Sequence, residues 1–460
     1  MEGFTMRNDI ILLFDRYSQD DMSLHESFKR AGYDLPVVVL EDDGFLPDEV
    51  LSVYSVFLDD LKGMKGIAGR PLYFNEIAVP HNWEIGGIGK EGKIHCLQEE
   101  KGQIRFAEHT HKGFVKTVEW YDRKGTVRIS EHYNRYGVIY ARTVHDGNGQ
   151  RINKTWFAAS GGEIIVENFI TGDMILNETD GRVRHFRTKM DFILYALERL
   201  GYTQSRVFFN SLSTPFFIAQ QLKRKEKRDM LFWQEPVGEE IPWNMQMILQ
   251  GALGDEAQIM VQKKCSYDKL LRLGVPKDRV HRLGFIYPFQ KENSHKPEAF
   301  ICTNSDHIEH CEEIVKALPQ MNFHIAALTT MSPKLIGLEK YDNVNLYPLI
   351  WMDDLNDFFE RCDYYLDINH GSEVASSIRR AFIHNNLIVA FRETVHNSDY
   401  TAEENLYAED KAERMVSELK KVMMDENLLE ERLRRQREAA LAAPPERYRE
   451  VVLLEGLTEG

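Results

Sequence analysis

The sequence predicts an α/β protein of two doubly wound parallel-sheet domains, with an antiparallel β-meander inserted in the first. Three observations predict it. Apolar runs alternate with amphipathic stretches near the start, the texture turns to short β-rich segments between about residues 71 and 184, and the alternation resumes afterwards.

The chain opens with an apolar run, Asp9 to Phe14, an amphipathic stretch, Leu24 to Ala31, and a second run, Pro36 to Leu40, ending in Glu41, Asp42 and Asp43. This reads as strand, helix and strand of a parallel sheet. From about Pro71 to about Arg184, segments rich in Val, Ile, Thr, Tyr and Trp are separated by turn clusters: Asp122 to Gly125, Asn134 to Gly137, Asp146 to Gly149, Ser160 to Gly162, Thr171 to Asp173 and Asp180-Gly181. Turns of this chemistry roughly every 12 residues predict a meander of hairpins. Helix-like Lys189 to Leu200 follows, then strand-like Arg206 to Phe209, Met230 to Gln234 and Gln258 to Val261, so the meander is an insertion into one α/β domain. A second block begins near Lys296, with strand candidates Ala299 to Thr303, Phe323 to Ala327, Val344 to Leu346, Tyr364 to Ile368 and Leu387 to Ala390. Lys411 to Ala443 is expected to be helical until Pro444-Pro445 stops it. The expected division is residues 1–70 with 185–290, an inserted domain over 71–184, a second doubly wound domain over 291–443, and a tail or helix over 444–460 packing back on the first domain.

The 460 residues are 43% hydrophobic and 28% charged, which suits globular domains with cores of their own. No apolar run approaches the roughly 20 residues needed to cross a bilayer, and Met1 to Asp9 is too polar to open a secretory signal, so a cytosolic protein is expected. The five cysteines are scattered without a Cys-x-x-Cys pair, which argues for reduced thiols over disulfides or a zinc ribbon. Against 72 Asp and Glu stand 57 Lys and Arg, and the net charge of -15 opposes general affinity for nucleic acid. The basic clusters Lys223 to Arg228 and Arg432 to Arg437 are candidate local contacts for phosphate or lipid head groups, with a solvated face as the plainer reading of each, the second alternating with Glu430, Glu431 and Glu438 in a helical pattern.

Familiar catalytic motifs are missing. The first strand-helix turn, Asp15 to Ser23, has no glycine, and there is no Walker loop or Gly-x-Ser-x-Gly elbow. His307, His310 and Cys311 share a spacing that one helix face can offer a metal, and His109-x-His111 lies in the meander; both read as incidental, and neither a metal nor a cofactor is expected. Two facing doubly wound domains place ligands at the carboxyl ends of their strands.

The segment Val261 to Val280 resembles the strand, helix and Gly-Val-Pro loop before the hinge of retaining GT-B glycosyltransferases, and Asp363 to Ala390 resembles their nucleotide-sugar-binding part. The resemblance implies a GT-B-like pair of Rossmann-type domains. Active members carry two glutamates there, for the donor sugar and the ribose; the matching positions hold Ser372 and Arg380, with Glu373 one place off. Those enzymes also need an Arg and a Lys for the diphosphate. Phe300 to Val315 contains neither; in that place stand Asn304, Ser305, Asp306, Glu309, Glu312 and Glu313. Donor chemistry by this chain alone is therefore not expected.

Together with Glu41 to Pro47 (EDDGFLP) and Gly69 to Asn75 (GRPLYFN), the pattern resembles the GtfB family, glycosyltransferase-stabilising proteins of the accessory Sec system, over essentially the whole chain. That resemblance implies a non-catalytic subunit that stabilises a catalytic partner, GtfA, and binds the unfolded acceptor. The complex transfers N-acetylglucosamine from UDP-GlcNAc to Ser and Thr of serine-rich repeat adhesins, in the cytoplasm and peripherally on the membrane. Acceptor or glycan candidates at predicted strand ends are Asn210, Ser211 and Ser213; Trp233, Gln234 and Glu235; and His370, Gly371, Ser372 and Glu373. Strand-end residues often only cap helices, which is the competing reading. Trp120, Tyr121, Tyr133, Tyr136, Tyr140, Trp156 and Phe157 make the meander a candidate partner-docking surface, with core packing as the alternative for at least half of them. Two other functions remain open: an active retaining transferase using Glu373 or Glu235, and a stand-alone carbohydrate-binding protein.

Overall fold

Strand Ile10–Phe14 is apolar and buried at every position, as a strand covered on both faces must be. It sits inside a seven-stranded sheet whose order is Val280–Arg282, Gln258–Val261, Met230–Trp233, Arg206–Phe209, Ile10–Phe14, Val37–Val39, Val50–Ser52. Its registered neighbours, Arg206–Phe209 and Val37–Val39, run parallel to it, as doubly wound connections require. This computed structural model describes residues 5–58, 70–88, 91–107, 113–158, 160–224 and 228–453. His109, His111, Gly69, the 225–227 part of the first basic cluster and the 454–460 tail lie outside the described residues. The chain forms two compact units, residues 1–232 with 242–259, and residues 233–241 with 260–460.

Between Val50–Ser52 and helix Lys189–Leu200 comes a ten-stranded antiparallel sheet, from Trp83–Ile88 to Val183–Phe186, in strict sequence order. Its turns repeat one device. Asp122 Oδ1 accepts from the Lys124 and Thr126 amides, and Asp146 Oδ1 accepts from those of Asn148 and Gln150, while Gly125 and Gly149 take the positive φ that closes each hairpin. The meander anchors on the loop after Val37–Val39: the Tyr140 hydroxyl donates to the Asp42 carbonyl (2.9 Å), and the Arg135 amide donates to Gly44 (2.7 Å). A Cβ on Gly44 would stand 2.5 Å from the Tyr133 carbonyl oxygen, so only glycine permits this approach. Beneath it Trp156 stacks on Tyr54, with centroids 4.6 Å apart. Burial lowers the Lys154 ammonium to about 8, although Asp42 and Glu167 oppose that shift.

The second unit holds a six-stranded sheet in the order Val344–Tyr347, Asn322–Ala327, Glu298–Thr303, Tyr364–Asp367, Leu387–Phe391, Leu406–Tyr407, with every registered pair parallel. One expectation needs correction. The segment expected to be helical from Lys411 to Ala443 is not continuous but two helices, Ala412–Met424 and Glu426–Ala439, because Asp425 leaves helical geometry and caps the second through Asn427 and Leu428. Helical geometry stops after Ala439, and Pro445 starts a further helix, Pro445–Leu453, whose first turn needs no proline amide. The Tyr448 hydroxyl of that helix donates to the Gly284 carbonyl (2.8 Å). No helix among the described residues is long and apolar enough to cross a membrane.

Candidate functional site

At the carboxyl edge of the first unit's sheet, the loops after two neighbouring strands meet. Ser213 donates to Asp15, which follows Ile10–Phe14, and Ser211 donates to Ser213 (3.0 Å). Asn210 Nδ2 donates to Asp21 Oδ1 (2.6 Å), while Asn210 Oδ1 is buried with no hydrogen-bond partner among the described residues. Such an acceptor costs free energy until something donates to it. Asp21 closes a capping box with Ser18 at the start of helix Gln19–Arg30. Its burial pushes the carboxyl up to about 6, against the lowering bonds from Ser18 and Asn210. The Asn244 side chain donates to the Leu212 carbonyl (2.6 Å), tying helix Trp243–Leu249 to this loop, and the neighbouring Trp243 is 68% exposed. Asp15, Asp21, Trp243 and Asn244 were not among the sequence candidates. An aromatic directly after Pro242 was the available signal for one of them.

The candidates after Met230–Trp233 fare differently. Trp233 is 3% exposed and belongs to the core, so the strand end offers no indole platform, a correction to its place among the glycan candidates. The Gln234 amide donates to Gln262 Oε1 (2.9 Å), and Ser266 Oγ holds the Glu235 carbonyl (3.0 Å), leaving the Glu235 side chain exposed.

In the second unit, the loops after Glu298–Thr303 and Tyr364–Asp367 bond to each other. Asn304 Nδ2 donates to Ser372 Oγ (2.8 Å), Thr303 donates to Asn369 Oδ1 (2.8 Å), and Asn369 Oδ1 also accepts from the Gly371 amide (3.1 Å). A Cβ at Gly371 would stand 1.7 Å from Asn304 Oδ1. Beneath the loop, His396 Nδ1 faces Asp367 Oδ1 and its Nε2 faces the Gly371 carbonyl (2.7 Å). Both partners only accept, so the ring carries two protons. The Asp367 bond is the chief reason its pKa rises to about 9, with burial opposing. Glu373 Oε1 accepts from the Ile378 amide (3.1 Å) at the start of the helix bearing Arg380, so the displaced glutamate caps a helix here.

His307, His310 and Cys311 do not share a helix face: the helix begins at Cys311, with His310 outside it at positive φ, and Cys311 is buried. Glu309 gathers the histidines instead. His370 Nε2 donates to its Oε2, His307 Nε2 lies 3.4 Å from the same oxygen, and His310 Nε2 lies 3.4 Å from Oε1. Burial raises the Glu309 carboxyl, yet the bond from His370 and the nearby ring charges leave it below its ordinary value. At the neighbouring strand ends a cavity of ≈ 450 Å³ is lined by Thr303, Asn304, Asp306, Thr329 and Lys334, among others. Lys334 brings one cation, from a segment beyond the cation-free stretch.

Of the meander aromatics, Trp156, Tyr140 and Tyr133 are buried within the first unit, which corrects their place on a docking surface. Trp120, Tyr121, Tyr136 and Phe157 are half-buried.

Family models match along the chain: the GtfB N-terminal domain over residues 11–57, the GtfB middle domain over 83–187, the GtfB third domain over 189–273, and the GftB/GlyA-F C-terminal domain over 299–436. The UDP-N-acetylglucosamine–peptide N-acetylglucosaminyltransferase stabilizing protein GtfB of Streptococcus agalactiae is 39% identical over 446 residues, 96% of this chain and 99% of that one. The chain belongs to the GtfB family. The corresponding family member of Streptococcus gordonii is 36% identical over 445 residues, 96% of this chain and 98% of its own length. A chain in the crystal structure of a GtfA/B complex bound to UDP and GlcNAc superposes with a TM-score of 0.90 at 36% identity, covering 97% of this chain and 100% of that one. The fold of this family member is GT-B-like, as the sequence predicts.

Proposed function

We propose that this chain is the non-catalytic, stabilising and acceptor-binding subunit of a two-component protein O-GlcNAc transferase, working with a GtfA-type catalytic chain. The observation that carries this reading is the full-length likeness to a chain of the GtfA/B complex bound to UDP and GlcNAc. The local chemistry supports it, since Ser372 and Arg380 stand where active relatives of the fold place acids, and Phe300 to Val315 has no Lys or Arg. Without those groups the charge of a leaving diphosphate has little to stabilise it.

In this reading the acceptor is a Ser/Thr-rich polypeptide, with serine-rich repeat adhesins bound for accessory Sec export as the substrate. The complex works in the cytoplasm, peripherally on the membrane. Asn210, Ser211 and Ser213, with Asp15 and Trp243 added, offer hydrogen bonds to hydroxyl-rich chain and a ring for an attached sugar. The half-buried aromatics Trp120, Tyr121, Tyr136 and Phe157 and the edge strands of the meander are the proposed docking surface for the catalytic chain.

The test is transfer of labelled sugar from UDP-GlcNAc to a Ser/Thr-rich polypeptide by this chain, by the catalytic chain, and by both. Transfer that requires both is the expected result. Robust transfer by this chain alone, or equal transfer by the catalytic chain with and without it, overturns the proposal.

A further inference from the structure

His307 and His370 come together although 63 residues separate them, and the backbone explains how. Ile308 and Asn369 form an antiparallel bridge, flanked by bonds from the His370 amide to the His307 carbonyl (3.0 Å) and from the Glu309 amide to the Ile368 carbonyl (2.8 Å). In that register His307 stands directly opposite His370. Glu309, two residues beyond His307, falls on the same face because side chains alternate along an extended segment.

The result is three potential ligands, two imidazole nitrogens and one carboxylate oxygen, all within 4.8 Å of one another. The two rings lie parallel, with centroids 3.8 Å and planes 13° apart. Two protonated rings so close repel each other, whereas two neutral rings and a carboxylate suit a divalent ion of borderline softness. Asp306 adds a negative charge on the same segment, and no Lys or Arg lies between Phe300 and Val315.

We propose that His307, Glu309 and His370 form a binding site for a divalent transition-metal ion, zinc foremost. Tetrahedral zinc needs ligand atoms about 3.3 Å apart. His307 Nε2 already stands 3.4 Å from Glu309 Oε2, and the two rings, stacked in parallel without the ion, must tilt toward each other for both nitrogens to face it. The Glu309 residue is 8% exposed, which fixes its carboxylate, while the His307 side chain is 61% exposed and leaves the fourth position to water. Binding displaces the proton between His370 and Glu309 to solvent, leaving two neutral rings, one carboxylate and M²⁺. The ion would staple the loop carrying His370 to Ser372 onto the end of the neighbouring strand, with no part in sugar transfer.

The experiment titrates Zn²⁺ into the purified full chain at pH 7.5 against a chromophoric zinc indicator, and records Co²⁺ absorption in parallel. One ion per chain at micromolar or tighter affinity is expected, with visible Co²⁺ bands of a nitrogen and oxygen set. His307→Ala and His370→Ala should each weaken binding by about tenfold or more. Glu309→Gln, which keeps the side chain's size, should do the same, and melting curves without metal verify that each variant folds. Absence of one-to-one binding by the intact chain, or affinity unchanged in folded His307→Ala and His370→Ala, overturns the site.

Discussion

The two parallel sheets end in loops of similar polarity that use it in different ways. At the edge of the first unit, Asn210 keeps a buried acceptor with no partner among the described residues, Ser213 is exposed and bonded to a half-buried Asp15, and Trp243, in the helix tied to this loop, is exposed. At the edge of the second, Asn304, Ser372, Asn369, Gly371, Asp367 and His396 are bonded to one another. Polar groups already satisfied within the fold gain little from a ligand, whereas unsatisfied ones gain the full bond. The second edge spends its polar groups on holding its own loops, whereas the first keeps one acceptor, Asn210 Oδ1, unsatisfied among the described residues.

The largest expected effect breaks the second edge. His396→Ala removes the group that joins Asp367 to the Gly371 carbonyl, leaves Asp367 buried, and should cost about 2–3 kcal/mol of stability by denaturant unfolding at pH 7. Because the folded pKa of His396 is raised to about 9, its contribution is fully present below about pH 6.5 and fades as pH rises through 9. The gap between wild type and His396→Ala should therefore narrow at high pH; an equal gap at pH 6 and pH 10 contradicts the imidazolium assignment.

Next comes a direct contrast of the edges. Asn210→Ala with Ser213→Ala should weaken binding of a Ser/Thr-rich polypeptide to the complex by roughly tenfold, about 1.4 kcal/mol, while Ser372→Ala changes it less than twofold. Fluorescence polarisation with a labelled acceptor measures both, and the reverse ranking would break the comparison. Trp243→Ala sharpens it: removing an exposed ring should leave stability within about 0.5 kcal/mol yet weaken binding of an acceptor already carrying GlcNAc, measured the same way.

The smallest effect concerns Asp21. Its folded pKa, near 6, lies above the unfolded value, so the native state holds the proton more tightly and stability falls as pH rises from about 4 to 6. Asp21→Asn should flatten that slope in urea unfolding while costing about 1 kcal/mol at pH 4 through the lost capping box.

The hairpin turns were legible because they are local; in those at Asp122, Asn134 and Asp146 a side-chain oxygen accepts amide bonds and a glycine three residues later takes positive φ. The inward positions of the meander were less legible, since alternation fixes two faces without saying which is covered, and Trp156 and Tyr140 proved to be core while neighbouring Phe157 is half-buried. The break at Asp425 was missed because charged helical pattern continues on both sides of it; a single capping residue divides the helices. Of the first-edge site, Asn210, Ser211 and Ser213 could be named from a strand end, but Asp15 and Asp21 join them only through sheet pairing between Ile10–Phe14 and Arg206–Phe209.

By itself the sequence determined the doubly wound α/β class and the inserted meander, since these depend on periodicity and local turn chemistry. Only the tertiary structure decided which polar groups are spent. The Asn304 to Ser372 bond, the His396 bridge and the meeting of His307, Glu309 and His370 join residues far apart in the chain, and no local pattern records a contact that strand order and register create.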